Sequence, residues 1–132
     1  MRPMRGLAAL ALLATPALAE APLSAEAFEA HVTGHTLTYR QYDRVYGIEE
    51  YLPDRRVRWS VAPNECQYGS WYPEGDYICF VYEYDPNPSC WTFRLDAGRL
   101  VALSIADAPG AELFETERSQ QPLPCPGPDV GA

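Results

Sequence analysis

Lysine is missing from this 132-residue chain, and all ten of its basic residues are arginine. That absence excludes a Schiff-base lysine, a pyridoxal phosphate anchor and the lysine of a phosphate-binding loop. Histidine is scarce, with only His31 and His35, so a catalytic triad or a zinc site would have to recruit one or both. The four cysteines contain no C-x-x-C spacing, which excludes a thioredoxin-like redox pair and a zinc-ribbon knuckle. Long apolar runs are lacking too. The stretch Gly6–Leu13 is too short to span a bilayer, and nothing after it approaches the required length.

What is present begins with an export signal. Arg2 and Arg5 precede the apolar stretch, Pro16 breaks it, and Ala17-Leu18-Ala19 supplies the A-x-A pattern read by a signal peptidase. The expectation is a signal peptide over residues 1–19, with Glu20 as the first mature residue and the periplasm as destination. No cysteine stands directly after the cleavage site, so a lipid anchor is not indicated. The mature part holds all eighteen acidic residues against eight arginines, a net charge of −10. That balance opposes nucleic acid and anionic membrane surfaces, whose binding depends on basic clusters. The acidic residues are scattered, as on a self-repelling surface. Residues 20–116 are expected to form one β-rich domain, and residues 117–132 a proline-rich tail.

In an oxidising compartment Cys66, Cys79, Cys90 and Cys125 read as two structural bridges, for which three connectivities exist. Side-chain parity chooses among them. Ile78, Phe80 and Tyr82 share one face of a strand, and Trp91, Phe93 and Leu95 share one face of the next. If both apolar sets meet one core, Cys79 and Cys90 fall together on the opposite face. A hairpin turning through Asp85-Pro86-Asn87-Pro88 would join them, leaving Cys66 for Cys125. The second bridge would pin the segment Gln121–Pro128, which has no ladder to join.

Leu23–His31 reads as a short helix with Ser24 as N-cap, Phe28 on its apolar side and Gly34 as a stop. Strands are expected at Thr36–Tyr39, Gly47–Leu52, Arg56–Val61, Ser70–Tyr72, Tyr77–Tyr84, Cys90–Leu95, Leu100–Ile105 and Glu112–Thr116. Turn residues lie between them. Short, evenly spaced strands with tight turns predict a mainly β fold. The expected form is an antiparallel meander curling into a small barrel or half-barrel, with a β-sandwich as the alternative.

Several of these pieces together resemble a family. They are Leu23-Ser24-Ala25-Glu26 before Val32-Thr33-Gly34, then Thr36-Leu37, and Gly47 with Glu50-Tyr51-Leu52-Pro53-Asp54. Gly69-Ser70-Trp71, Ile78-Cys79-Phe80 and Ser89-Cys90-Trp91 follow. The set is similar to small exported alphaproteobacterial proteins grouped as a domain of unknown function. The resemblance implies a periplasmic location and supports the Cys79–Cys90 pairing; it implies no activity and no site residues.

Candidate chemistry is thin. His31 and His35 have helical zinc-site spacing, but Gly34 intervenes and strand signal begins at Thr36. Glu49 and Glu50 would point to opposite faces of a strand and could not act on one substrate. Gly69-Ser70-Trp71 lacks the second glycine of a nucleophile elbow. Trp59, Trp71 and Trp91 are expected to fill the barrel. Tyr68, Tyr72, Tyr77 and Tyr84, in or beside turns, form a candidate binding face for a protein, peptide or glycan partner. No motif asks for a cofactor or a metal. The reading is a periplasmic non-catalytic binding or envelope accessory protein. The alternative is a small hydrolase or metal-dependent enzyme built on the two histidines and carboxylates.

Overall fold

A computed structural model describes residues 1–4, 6–13, 21–62 and 65–125. The expected cleavage site at Ala17-Leu18-Ala19, with Glu20, lies outside the described residues, as does the tail beyond Cys125. Residues 1–4 and 6–13 carry neither helix nor strand. No described helix is long and apolar enough to cross a membrane.

Helix α1 spans Ala25–Val32. Eight strands follow: β1 Thr36–Gln41, β2 Arg44–Tyr51, β3 Arg56–Ser60, β4 Gln67–Glu74, β5 Tyr77–Tyr82, β6 Asp85–Asp96, β7 Arg99–Ser104 and β8 Leu113–Ser119. Each pairs antiparallel with its sequence neighbours, and β8 returns to pair with β1, closing a barrel. The meander and the barrel agree with the sequence reading; the closure excludes the sandwich. The last strand continues three residues past Thr116.

Alternation decides what fills the barrel. Leu37, Val57, Trp71, Phe80 and Phe93 point inward and are buried, while Arg58 and Arg94 lie at the outward parity of their strands. That apolar-in, charged-out pattern is the reverse of a lipid-facing barrel. Two glycines allow close approach. A Cβ on Gly69 would sit 2.2 Å from the Val81 carbonyl oxygen, and one on Gly47 would sit 2.2 Å from the Trp59 ring. The register slips on β1 between Tyr39 and Arg40 against β2, and between Thr38 and Tyr39 against β8. An irregularity of this kind bends a strand and helps a small sheet close on itself.

Two hairpins use two-residue turns with both residues at positive φ: Tyr42-Asp43 (49° and 63°) and Ala97-Gly98 (50° and 79°). Such turns match the right-handed twist of the flanking strands. The turn expected at Asp85–Pro88 is displaced. The chain reverses at Glu83-Tyr84, and residues 85–88 belong to β6. Two steps along β5, Phe80 to Tyr82, stand opposite four steps of β6, Ser89 to Asp85. Pro86 and Pro88, which have no N–H to give to a ladder, are tolerated in this irregular, exposed stretch.

Helix α1 packs against the barrel core. Ser24 caps it, its Oγ accepting from the Ala27 N–H at 3.1 Å. Phe28 and Val32 are fully buried. The Phe28 ring meets Tyr51 and Trp71 edge-on, with centroids 5.7 and 5.0 Å away, and lies 4.6 Å from Phe93. The Leu23 N–H donates to the Phe93 carbonyl at 2.7 Å. Arg55 latches the outside, pairing with Glu29 at 3.4 Å while its guanidinium covers the Trp71 ring at 4.7 Å. Gly34, at φ 81°, carries the chain out of the helix into β1.

Both bridges join the expected partners. Cys79 and Cys90 stand directly opposite each other on β5 and β6, with Cα atoms 4.0 Å apart. Cys66 bonds Cys125 across 59 residues. The segment leading to Cys125 is fastened as well: Leu123 is buried, its N–H donates to Glu50 Oε1 at 3.0 Å, and Thr36 Oγ1 donates to the Gln121 carbonyl at 2.7 Å. Glu50 forms a two-oxygen pair with Arg58 on the outer wall, so the acidic side chain is satisfied twice over.

Candidate functional site

The barrel is not filled completely. Above the rings that Phe28 packs against remains a cavity of about 110 Å³. Tyr51, Phe80 and Phe93 form its floor, and Trp59, Trp91 and Tyr46 its upper wall. Tyr46 is 39% exposed and marks the mouth. Its ring centroid lies 5.8 Å from Trp59 and 6.1 Å from Trp91, so three aromatic rings surround the entrance. Trp91 is held by its indole N–H, which donates to Ser89 Oγ at 2.9 Å.

Among these rings stands one carboxyl, Glu49, only 2% exposed. Strand β2 places it there by parity with Gly47 and Tyr51, while Glu50 faces out to Arg58. Oε1 accepts from the Tyr82 hydroxyl at 2.7 Å. Oε2 is buried and has no partner among the described residues. A buried polar atom left unpaired costs about 1–3 kcal/mol, and more if charged, so its retention demands an explanation. Among the described residues, no arginine or histidine lines the cavity. Burial raises the Glu49 pKa well above the ordinary carboxylate range, outweighing the hydrogen bond from Tyr82 that lowers it. Its surroundings therefore favour the neutral, protonated form of Glu49.

The neighbouring phenols are also kept neutral. Tyr39 and Tyr51 share a hydrogen bond at 2.8 Å, and burial raises both above the usual phenol value. Tyr82 is raised by burial and by the Glu49 carboxyl it touches. Tyr46 is raised by burial, with Asp107 nearby adding to the effect.

Glu49 leaves a signature in stability. Its native pKa lies above its unfolded value, so the native state binds the extra proton and this contribution is full at acid pH. It fades as pH rises from about 4.5 toward the native value. Relative to Glu49→Gln, the natural protein is expected to lose up to about 1.4 kcal/mol of stability per pH unit over that window. Urea unfolding of both proteins at pH 5, 6.5 and 8 measures this. A difference that stays constant with pH would mean that Glu49 is ionised in the fold.

The tyrosines singled out by sequence lie elsewhere, along the β4–β5 hairpin. Tyr68 sits level with Glu83, its carbonyl accepting from the Glu83 N–H at 2.9 Å. Tyr72 stands opposite Cys79 and Tyr77 opposite Glu74. Tyr84 is 75% exposed in the turn after β5, at the other end of that strand from Tyr77. Tyr68 and Tyr72 share the outer face of β4, and the four are strung along the hairpin instead of meeting at one point. The cavity belongs to a different set: Tyr39, Tyr46, Tyr51 and Tyr82.

The histidines are engaged near the end of α1. His31 Nε2 lies 3.1 Å from Glu115 Oε2 and 2.7 Å from an Arg118 nitrogen. Arg118 also donates to the His31 carbonyl at 2.6 Å and reaches His35 Nδ1 at 3.4 Å. Any metal there would face a guanidinium, which disfavours it. Glu74 lies close to Cys79 and Cys90, but these sulfurs are bonded to each other and offer no thiolate ligand.

No family model, curated protein or solved structure matches this chain.

Proposed function

We propose that this is an exported, non-catalytic binding protein that takes a small ligand into the mouth of its barrel. The single observation that carries the reading is Glu49 Oε2, a polar atom buried in an aromatic cavity with no partner among the described residues. A small apolar cavity with one convergent polar group is the usual form of a ligand site. Eight-stranded barrels have interiors of the size that holds one small ligand. Export to the periplasm is supported by the leader pattern and by two disulfides, which persist in oxidising compartments. Binding is favoured over hydrolysis because Glu49 is the one carboxylate lining the cavity among the described residues, whereas glycosidase chemistry needs two. His31 and His35 are tied to Arg118 and are not among the cavity residues.

Native mass spectrometry of protein recovered from the periplasm tests this. A small molecule retained at one per chain is the expected result. Ala102 lines the cavity, and Ala102→Leu, which fills much of the space, should release it. A retained molecule that survives this substitution, or release of chemically altered product from it, would overturn the reading.

A further inference from the structure

We infer that the ligand group received by this cavity is a protonated amine, an alkylammonium ion or the ammonium head of a larger molecule, hydrogen-bonded to Glu49 Oε2 and enclosed by the rings of Tyr46, Trp59 and Trp91. The inference rests on the binding reading above and specifies its ligand.

Three independent features converge on a cation. The first is Glu49 itself: Oε1 accepts from Tyr82, leaving Oε2 as the oxygen that faces a guest and becomes an open acceptor once Glu49 ionises. An ammonium N–H would satisfy that atom and supply the positive charge that no lining residue provides. The second is the wall. The faces of tryptophan and tyrosine attract cations held within about 6 Å of the ring centre and repel anions. Tyr46 packs against Trp59 and Trp91, at 5.8 and 6.1 Å by ring centroid, and all three rings line the cavity. The third is the long-range field. A mature charge of −10 draws cations toward the protein and holds anions off.

Size restricts the guest. At about 110 Å³ the cavity is smaller than the roughly 150 Å³ void that admits benzene. It suits a head of a few heavy atoms, with any longer substituent leaving through the mouth beside Tyr46. A quaternary ammonium would fit the rings but has no N–H to give Oε2, so primary to tertiary amines are the better match. Protons balance simply: the guest arrives as an ammonium, Glu49 releases its proton to solvent, and the resulting carboxylate accepts the ammonium N–H. Binding therefore strengthens as pH rises. The groups facing Glu49 are the phenols of Tyr39 on β1, Tyr46 and Tyr51 on β2 and Tyr82 on β5, with Asp107 beyond Tyr46. These phenols are held neutral, which leaves Glu49 as the group that exchanges the proton.

Isobutylammonium and isobutanol share shape and can each donate a hydrogen bond to Oε2, but only the first carries a charge. Each is titrated into the full mature chain, with the indole N–H resonances of Trp59 and Trp91 as reporters and Trp71, outside the cavity, as control. Isobutylammonium should bind at least tenfold more tightly than isobutanol, and its affinity should increase from pH 5.5 to 8. In Glu49→Gln the preference should shrink to threefold or less while isobutanol still binds. Equal or tighter binding of isobutanol to the natural protein overturns the ammonium assignment and leaves a small-ligand cavity standing. A preference that survives in Glu49→Gln removes Glu49 from the assignment and overturns it. If neither probe moves Trp59 or Trp91, the small-ligand reading fails as well. The comparison of the two probes on the natural protein stands even if the variant does not fold.

Discussion

Phe28→Ala is expected to destabilise the protein by about 4 kcal/mol, the middle of the range for deleting a fully buried phenylalanine. Its ring is completely enclosed. It also makes four aromatic contacts, with Tyr51, Trp71, Phe80 and Phe93, each adding to the value of buried area alone. The cost is high because α1 has only eight residues and cannot hold a helix without tertiary packing. A domain of this size has about 5–15 kcal/mol of stability in all, so the variant should unfold at much lower urea with an unchanged slope. Tyr51, Phe80 and Phe93 carry the cavity on their other side, so ligand binding should weaken together with stability. A loss below about 1 kcal/mol would mean that the helix is not integral to the barrel.

Replacing Cys66 and Cys125 together by serine should cost about 4 kcal/mol, and replacing Cys79 and Cys90 about 3 kcal/mol. The order follows from loop length, since the first bridge spans 59 residues and the second 11. The longer bridge also shields the contacts of Leu123 with Glu50 and of Gln121 with Thr36, which would fray once Cys125 is free. Unfolding of the two double variants against the natural protein gives the comparison. A larger loss from the hairpin pair would show that the tail is held without its bridge.

The scaffold was more legible than the site, for a physical reason. Strands announce themselves by alternation and turns by special residues, and parity with a hairpin between the two strands paired Cys79 with Cys90. Ser24 and Gly34 bounded the helix because capping is local chemistry. Asp85–Pro88 misled because prolines mark breaks in a ladder, and an irregular strand contains such breaks just as a turn does. Glu49 escaped for a related reason. The segment Val45–Leu52 has two alternating faces, and Ile48 with Leu52 makes the even-numbered one look like the core. The barrel buries the other: Gly47, Glu49 and Tyr51. Splitting Glu49 from Glu50 by face was correct, but it did not say which carboxyl was inside. The available clue was Gly47, which leaves room for Trp59 across the strand pair. The four cavity tyrosines were hidden likewise, because a tyrosine reads equally well as rim or as interior.

The unbroken order of the strands has a consequence in time. Every pairing but one joins neighbours in sequence, so hairpins can zip one after another at small loop cost. The β1–β8 seam must wait until the two ends of the chain meet. Cys79 and Cys90 are brought together by one hairpin, Cys66 and Cys125 by a loop that runs through β8. Oxidation would thus lock a local element early and the finished cylinder late.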